Sequence, residues 1–363
     1  MATHFHQLTI ADIRQETPEC ISIAFEIPED LREAYLFKQG QNITLKSILG
    51  GEELRRSYSI CSSPHDKELR VAIKAVEAGK FSSWANKQLK KGDQLEVLPP
   101  TGRFYTELHT DHKKQYIAFA AGSGITPVIS IIKTALATEP QSSFTLIYGN
   151  KNRASIIFKE QLEAIKNRYM DRFTLHHILS REKTDAAVNH GRIDAEKCRQ
   201  LAKLVNFTKA DEIFVCGPET MIFSVKDWLE AQGIDKKKIH FELFSSPDSG
   251  NRQSATGNKK TDKAEGKTGP VSKVTVKLDG IAFDFDLPYD DWSILDAALR
   301  QGADLPFACK GGVCATCRAK LVEGQVEMDI NYALEPEEVE QGFILTCQSH
   351  PRTEKVVIDF DAR

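Results

Sequence analysis

The chain has 363 residues, room for two or three domains at roughly 150 residues each. An apolar fraction of 41% with 27% charged residues excludes a mainly disordered chain, and a net charge of −3 excludes the basic surface of a nucleic-acid binder. The balance is uneven: residues 273–363 hold 9 basic and 17 acidic side chains, net −8, while the remaining 272 residues are net +5 (39 against 34).

No apolar run reaches the ~20 residues that a spanning helix needs. The longest, from Tyr116 to Ile132, is broken by Gly122, Gly124 and Pro127. Met1 to Gln15 lacks the basic start and apolar stretch of a secretory leader, so a cytoplasmic address is expected.

In residues 1–110, Ile21, Ile23, Phe25 and Ile27 alternate with smaller or polar residues, as do Leu69, Val71, Ile73 and Ala75. Frequent Gly and Pro breaks then predict a sandwich or barrel of short antiparallel strands. One helix, Phe81 to Leu89, interrupts them. Arg55-Arg56-Ser57-Tyr58-Ser59-Ile60 stands out. The Arg56 guanidinium suits a pyrophosphate, the Tyr58 ring suits stacking on a planar flavin, and the Ser59 hydroxyl suits that ring's polar edge. Gly79, Ser82 and Ser83 open the predicted helix, a ready phosphate site. Alone, these residues equally fit a solvated barrel strand.

Residues 111–244 alternate apolar strands with helices, which predicts a buried parallel sheet with right-handed crossovers. Strands are expected at 117–120, 144–148, 173–179, 212–216 and 239–243, and helices at 125–137, 156–168, 194–204 and 218–231. Gly122-Ser123-Gly124-Ile125-Thr126-Pro127 sits between a strand and a helix, where glycines admit a pyrophosphate to the helix N-terminus. A close-packed turn is the competing explanation. Cys216-Gly217-Pro218, with Met221 beyond it, ends another strand at the ligand-binding edge of such a sheet. Ser180 and Arg181 end a third; a hydroxyl beside a guanidinium suits the 2′-phosphate of NADP, as does Arg192 more weakly.

Residues 245–272 are Ser, Gly, Asn, Lys and Asp with almost nothing apolar, the composition of a solvated linker. From 273 a compact third domain is expected. Val274, Val276 and Leu278 alternate, Asp279-Gly280 turns the chain, and Ile281, Phe283 and Phe285 return. Ser293 fits an N-cap for a helix at 294–299. Cys309, Cys314, Cys317 and Cys347 then follow the C-x4-C-x2-C…C spacing of plant-type 2Fe–2S proteins, whose potentials lie near about −400 mV. The glycines of Lys310-Gly311-Gly312-Val313 let backbone N–H groups approach the sulfurs. Structural zinc is the alternative, but it prefers two short Cys-x2-Cys knuckles.

Taken in order, Gly40-Gln41, Arg56-x-Tyr58-Ser59, Gly79-x-x-Ser82, Gly122-x-Gly124-Ile125-Thr126-Pro127, Cys216-Gly217-Pro218-x-x-Met221 and the four cysteines resemble the ferredoxin–NADP reductase superfamily fused to a plant-type ferredoxin. The resemblance covers the chain except the linker. Within that superfamily the order is that of oxygenase reductase components, and the text most resembles the reductase subunits of phenylacetyl-CoA epoxidases. It implies a β-barrel flavin domain, an α/β nucleotide-binding domain and a β-grasp ferredoxin domain. It further implies that Arg56 binds the pyrophosphate of FAD (FMN in some relatives), Tyr58 stacks on the isoalloxazine, and Ser59, Cys216 and Glu242 surround the nicotinamide. Phe244 closes Phe241-Glu242-Leu243-Phe244, matching the last strand of the reductase body.

The implied activity is hydride transfer from NADPH to the flavin, then single-electron passage to the cluster and on to an oxygenase partner. A general NADPH reductase serving a desaturase, another oxygenase or a soluble carrier remains open, as does a non-catalytic redox sensor. The chain carries no Glu-x-x-His motif for oxygen activation of its own. Its acidic C-terminal domain is expected to dock electrostatically on basic surfaces.

Overall fold

The structure, a computed structural model, describes residues 4–244 and 270–362. These fall into two compact units, Phe5–Phe244 and a second made of residue 4 and residues 270–362. The linker expected over 245–272 lies outside the described residues as far as 269.

The first unit opens with six antiparallel strands: β1 (His6–Thr17), β2 (Cys20–Glu26), β3 (Asn42–Leu49), β4 (Glu52–Ser59), β5 (Leu69–Lys74) and β6 (Gln94–Thr101). Their order is β4-β3-β6-β1-β2-β5. The sheet closes into the expected barrel because Ile60, just past β4, bridges Val71 of β5, and the Cys61 N–H donates to the Arg70 carbonyl at 2.8 Å. Alternation sends Leu8, Ile10, Ile21, Ile23, Ile43, Leu45, Val71 and Ile73 inward. Arg70 lies on the opposite face of β5 and is buried too, its guanidinium met by Asp12 (2.5 Å), Glu68 (3.2 Å) and the Ser22 hydroxyl (3.0 Å). A charge that deep persists only when paired. Helix α1 (Lys80–Gln88) lies where the sequence predicts one.

The rest of this unit is a five-stranded parallel sheet: β7 (Gln115–Ala121), β8 (Ser143–Asn150), β9 (Phe173–Leu179), β10 (Glu212–Gly217) and β11 (Ile239–Leu243). Its order is β11-β10-β7-β8-β9, so the connection reverses direction between β7 and β10. Four helices cross it: α2 (Ile125–Thr138), α3 (Lys159–Arg168), α4 (Ala195–Leu201) and α5 (Glu219–Ala231). Helix α3 begins three residues later than the sequence suggests. Ile156, Ile157 and Phe158 are all buried in the core, and Phe158 takes a left-handed φ of 60° to get there. Apolar burial outweighs helix propensity at that point.

Helix α2 is buried nearly all round: one face is apolar, while Thr126, Ser130, Lys133, Thr134 and Thr138 fall on the other. One side packs on the parallel sheet. Polar groups on it are tied to the barrel loop 61–66: Ser130 Oγ donates to the Ser62 carbonyl (2.6 Å), Thr134 Oγ1 meets Ser63 Oγ (2.9 Å), and Lys133 pairs with Asp66. Barrel and parallel sheet therefore share one helix.

The second unit pairs β12 (Val271–Leu278) with β13 (Ile281–Pro288) through an Asp279-Gly280 turn in which both residues have positive φ, 55° and 73°. Helix α6 (Ile294–Arg300) is capped by Ser293, whose hydroxyl accepts the Asp296 N–H at 3.2 Å. Then come β14 (Arg318–Glu323), β15 (Val326–Met328), α7 (Pro336–Glu340), β16 (Phe343–Leu345), β17 (Ser349–Pro351) and β18 (Lys355–Asp359). The main sheet runs β13-β12-β18-β14-β16, with β12 and β18 parallel and the other neighbours antiparallel. β12 takes in the last two residues of the expected linker, and Ser272 is fully buried.

Ser130→Ala removes the only hydroxyl that α2 sends to the Ser62 carbonyl among the described residues. A buried acceptor left unpaired costs about 1–3 kcal/mol. A lowered thermal midpoint with unchanged far-UV circular dichroism is expected; an unaltered midpoint counts against this tie.

Candidate active site and metal centre

The reversal between β7 and β10 opens a crevice at the carboxyl ends of the strands, the place where ligands enter such sheets. A cavity of about 650 Å³ lies there. Its walls come from the β7 turn (Gly122, Ser123), the β8 end (Asn150, Lys151), Ser180 after β9, and Gly217 with Met221 after β10. Lys74 of the barrel, Arg192, Asp194 and Phe244 complete them. Lys74, Lys151 and Arg192 form no salt bridge among the described residues, and against the one carboxylate of the wall, Asp194, they leave the space net positive. That space suits an anion.

The turn after β7 is shaped by close approach. Gly122–Gly124 form one 3-10 turn leading into α2. A Cβ on Gly124 would stand 2.1 Å from the Cys216 carbonyl oxygen, so this glycine lets α2 close on the end of β10. The Tyr148 hydroxyl donates to the Gly122 carbonyl (3.0 Å), and Thr126 Oγ1 donates to the Ser123 carbonyl (3.0 Å). Thr126 and Pro127 are buried and stabilise the turn from within.

At the β10–β11 side, register places Cys216 opposite Glu242. The Ser59 hydroxyl, from the barrel, donates to Glu242 Oε2 at 3.1 Å. Three side chains from distant parts of the chain thus meet at one point. Cys216 is fully buried, and desolvation, with the Glu242 carboxylate next, pushes its thiol well above the ordinary value. It is a neutral thiol at physiological pH. On β4, Arg56 and Tyr58 occupy alternate positions of one strand face. The Tyr58 ring lies 5.9 Å from that of Phe81 in α1, and Lys80 pairs with Glu52 at 2.6 Å, so the α1 N-terminus stands beside β4. Gly79 is the cap of that helix, Ser83 is half-buried, and the Ser82 hydroxyl turns inward to accept the Val76 N–H at 3.2 Å.

In the second unit the four cysteines fall into two couples. The Cys309 thiol donates to Cys314 and holds it below the ordinary thiol value; Cys317 does the same for Cys347. The donors are pushed up in return. Backbone N–H groups reach the sulfurs as well: Gly311 to Cys309 (3.3 Å) and Cys309 to Cys314 (3.4 Å). Gly312 has a positive φ of 71° and sits where a Cβ would be 2.8 Å from the Ile330 carbonyl oxygen. The buried Thr316 hydroxyl beside Cys314 has no other partner. Among the described residues no three donors converge as ligands of a single ion. Two thiol couples, with N–H groups and an orphan hydroxyl around them, fit a dinuclear iron–sulfide group: two thiolates per iron, sulfides as the missing acceptors. The glycine-rich C-x4-C loop departs from the two short Cys-x2-Cys knuckles usual for structural zinc.

Family models match in the same order: an oxidoreductase FAD-binding domain at residues 7–105, an oxidoreductase NAD-binding domain at 119–227, and a 2Fe-2S iron-sulfur cluster binding domain at 276–352. A subunit of the 1,2-phenylacetyl-CoA epoxidase of Escherichia coli (strain K12) is 48% identical over 99% of both chains. The chain belongs to the ferredoxin–NADP reductase family, in the form that carries a 2Fe–2S domain. The ferredoxin reductase component of 3-ketosteroid-9-alpha-monooxygenase from Rhodococcus rhodochrous is 35% identical, covering 97% of this chain and 96% of that one. Phthalate dioxygenase reductase shares the fold, with a TM-score of 0.59 at 21% identity and 98% coverage of both chains. The chain is accordingly an electron-transferring reductase of an oxygenase system, with sites for FAD, a nicotinamide dinucleotide and a 2Fe–2S cluster.

In this reductase the cavity gathers Gly122, Ser180, Gly217, Met221 and Phe244 from the residues the sequence singles out. Arg181 is exposed and is not part of its wall, while Arg192 is. Lys74, Lys151 and Asp194 carry no motif and escape sequence reading. Lys74 belongs to the barrel and reaches the cavity only because β5 ends beside Gly122, where a Cβ would lie 3.6 Å from Lys74 Nζ.

About two irons and two acid-labile sulfides per chain are expected. Cys317→Ala should abolish the cluster absorbance while leaving that of the flavin; zinc without sulfide in the wild type would contradict the assignment. Iodoacetamide at pH 8, read by peptide mapping of the native protein, should leave Cys216 unmodified, since it is buried and protonated.

Proposed function

We propose that this reductase draws its electrons from NADPH in preference to NADH and delivers them to the oxygenase component of a phenylacetyl-CoA epoxidase. The observation that carries the coenzyme reading is the excess of cations in one cavity, Lys74, Lys151 and Arg192 against Asp194, with the Ser180 hydroxyl on its wall. The partner reading is supported by 48% identity to an epoxidase subunit along the whole chain. The expected cytoplasmic address fits eight cysteines that are all free.

Each site residue then has a task. From Cys216 at the end of β10 to Ser180 at the end of β9 is three strand spacings, about 14 Å. A dinucleotide laid across that edge meets Ser59, Cys216 and Glu242 at its nicotinamide end. Gly122, Gly124 and Gly217 bring backbone close to its pyrophosphate, Thr126, Pro127 and Met221 shape that turn, and Lys74 offers a charge there. Ser180 and Arg192 take the 2′-phosphate, with Arg181 outside the cavity wall. Phe244 covers the nicotinamide end. Arg56, Tyr58, Gly79, Ser82 and Ser83 form the flavin side, and the four cysteines hold the cluster. When bound, these groups supply hydride acceptance from the nicotinamide and one-electron delivery through iron.

The protein's part is placement and polarity. The Ser59–Glu242 hydrogen bond fixes a carboxylate beside the neutral Cys216 thiol, so the nicotinamide end meets oriented dipoles without a thiolate nucleophile. The net −8 of residues 273–363 favours an acceptor protein with a basic docking face.

Anaerobic NADPH should bleach both flavin and cluster absorbance of the purified protein. Ser180→Asp places a carboxylate where the 2′-phosphate would lie and should shift the kcat/KM ratio toward NADH by about tenfold or more; unchanged selectivity refutes the assignment. Purified epoxidase oxygenase should turn over phenylacetyl-CoA with this reductase and NADPH, with a rate that falls as salt rises.

A further inference from the structure

Between Ser180 and Arg192 the chain leaves the sheet and returns. The neck of this excursion is pinned by a bridge between Leu179 and His190 and by the Gly191 N–H, which donates to the Leu179 carbonyl at 3.0 Å. Its return leg, the turn Ala187–Asn189 directly before His190, lies against β9. Lys197 in α4 holds that return leg. Its ammonium donates to the Val188 carbonyl (2.9 Å), the Ala187 carbonyl (3.4 Å) and Gln200 Oε1 (2.7 Å). Its stem passes under Gly191, where a Cβ would lie 3.9 Å from Lys197 Cε.

This is an unusual station for a lysine. The residue is 5% exposed, and all three acceptors are neutral. The nearby carboxylates are otherwise engaged: Asp194 accepts the Lys197 backbone N–H (2.8 Å), and Glu196 pairs with Arg199 (2.6 Å). Burial pulls the Lys197 pKa below its ordinary value. A desolvated ammonium on carbonyls is costly, and a Leu or Met would fill the same space without that cost. What the ammonium adds is position. Both ends of the excursion, Ser180 on one side and Arg192 to Asp194 on the other, line the cavity, and α4 starts directly after Asp194.

We infer that Lys197 is a positioning residue for coenzyme specificity: by pinning the return leg of the 181–191 excursion to α4, it sets Ser180 against Arg192 around the adenosine end of the dinucleotide. The inference rests on the reading of this cavity as the NADPH site.

The test uses full-length holoprotein and two electron donors, NADPH and reduced nicotinamide mononucleotide, which lacks the adenosine end. Lys197→Met keeps the stem and removes the ammonium. Its KM for NADPH should rise about tenfold, with kcat at saturation and the rate with the mononucleotide unchanged. Lys197→Arg should recover part of the KM. Gln200→Ala, which removes one acceptor, should shift KM in the same direction by less, and it supplies the same comparison if Lys197→Met does not fold. Equal losses with both donors, or an unaltered KM for NADPH in variants that turn over, overturn the inference. A wild-type chain that NADPH fails to reduce overturns the underlying reading instead.

Discussion

Because helix α2 is buried on nearly every side, it is covered twice, its apolar face by the parallel sheet and its polar face by the barrel loop 61–66. That double burial sets the geometry of the reductase body. The loop 61–66 follows directly on Ser59 and Ile60, and it is this loop that Ser130, Lys133 and Thr134 tie to α2. The N-terminus of the same helix carries Gly122–Gly124, packed on the end of β10. One packed element therefore determines where Ser59 meets Glu242 and where the dinucleotide turn meets Cys216. Protein interiors are too dense for these positions to drift independently.

The two cofactor regions handle charge in different ways. In the cavity, Lys74, Lys151 and Arg192 outnumber the one carboxylate, Asp194, and form no salt bridge among the described residues, an arrangement that repels cations and rewards a bound polyanion. Around the four cysteines no cation is needed for each thiolate. Backbone N–H groups from the tight 309–314 loop point at the sulfurs, and fixed dipoles stabilise the anionic ligands with little cost of reorganisation. The first scheme suits a ligand that must come and go, the second a group that stays.

Short-range patterns were legible in the residues alone. The Asp279-Gly280 hairpin, the Ser293 cap, the strand–helix alternation of 111–244 and the cysteine spacing all follow from rules that act over a few residues, and each appears where the pattern puts it. The displaced start of α3 shows the limit of such rules. Ile156-Ile157-Phe158 reads as helix by periodicity, yet a core with room for all three side chains draws them out of it. The candidate site divides in the same manner. Gly122, Ser180, Gly217 and Met221 sit in local signatures, whereas Lys74 and Lys151 do not.

What the residue order carried, then, was chemistry: which groups exist, in what succession, and which cofactors they suit. Convergence came from folding. Ser59 and Glu242 are 183 positions apart, and no spacing rule links them; their hydrogen bond exists because a barrel and a sheet close on a shared helix. Likewise, Cys309 couples with Cys314 while Cys317 reaches 30 residues on to Cys347, a division that depends on how β14 and β16 pair. Long-range contacts are selected by the packing of whole elements, and that information is spread over every buried side chain rather than written in any motif.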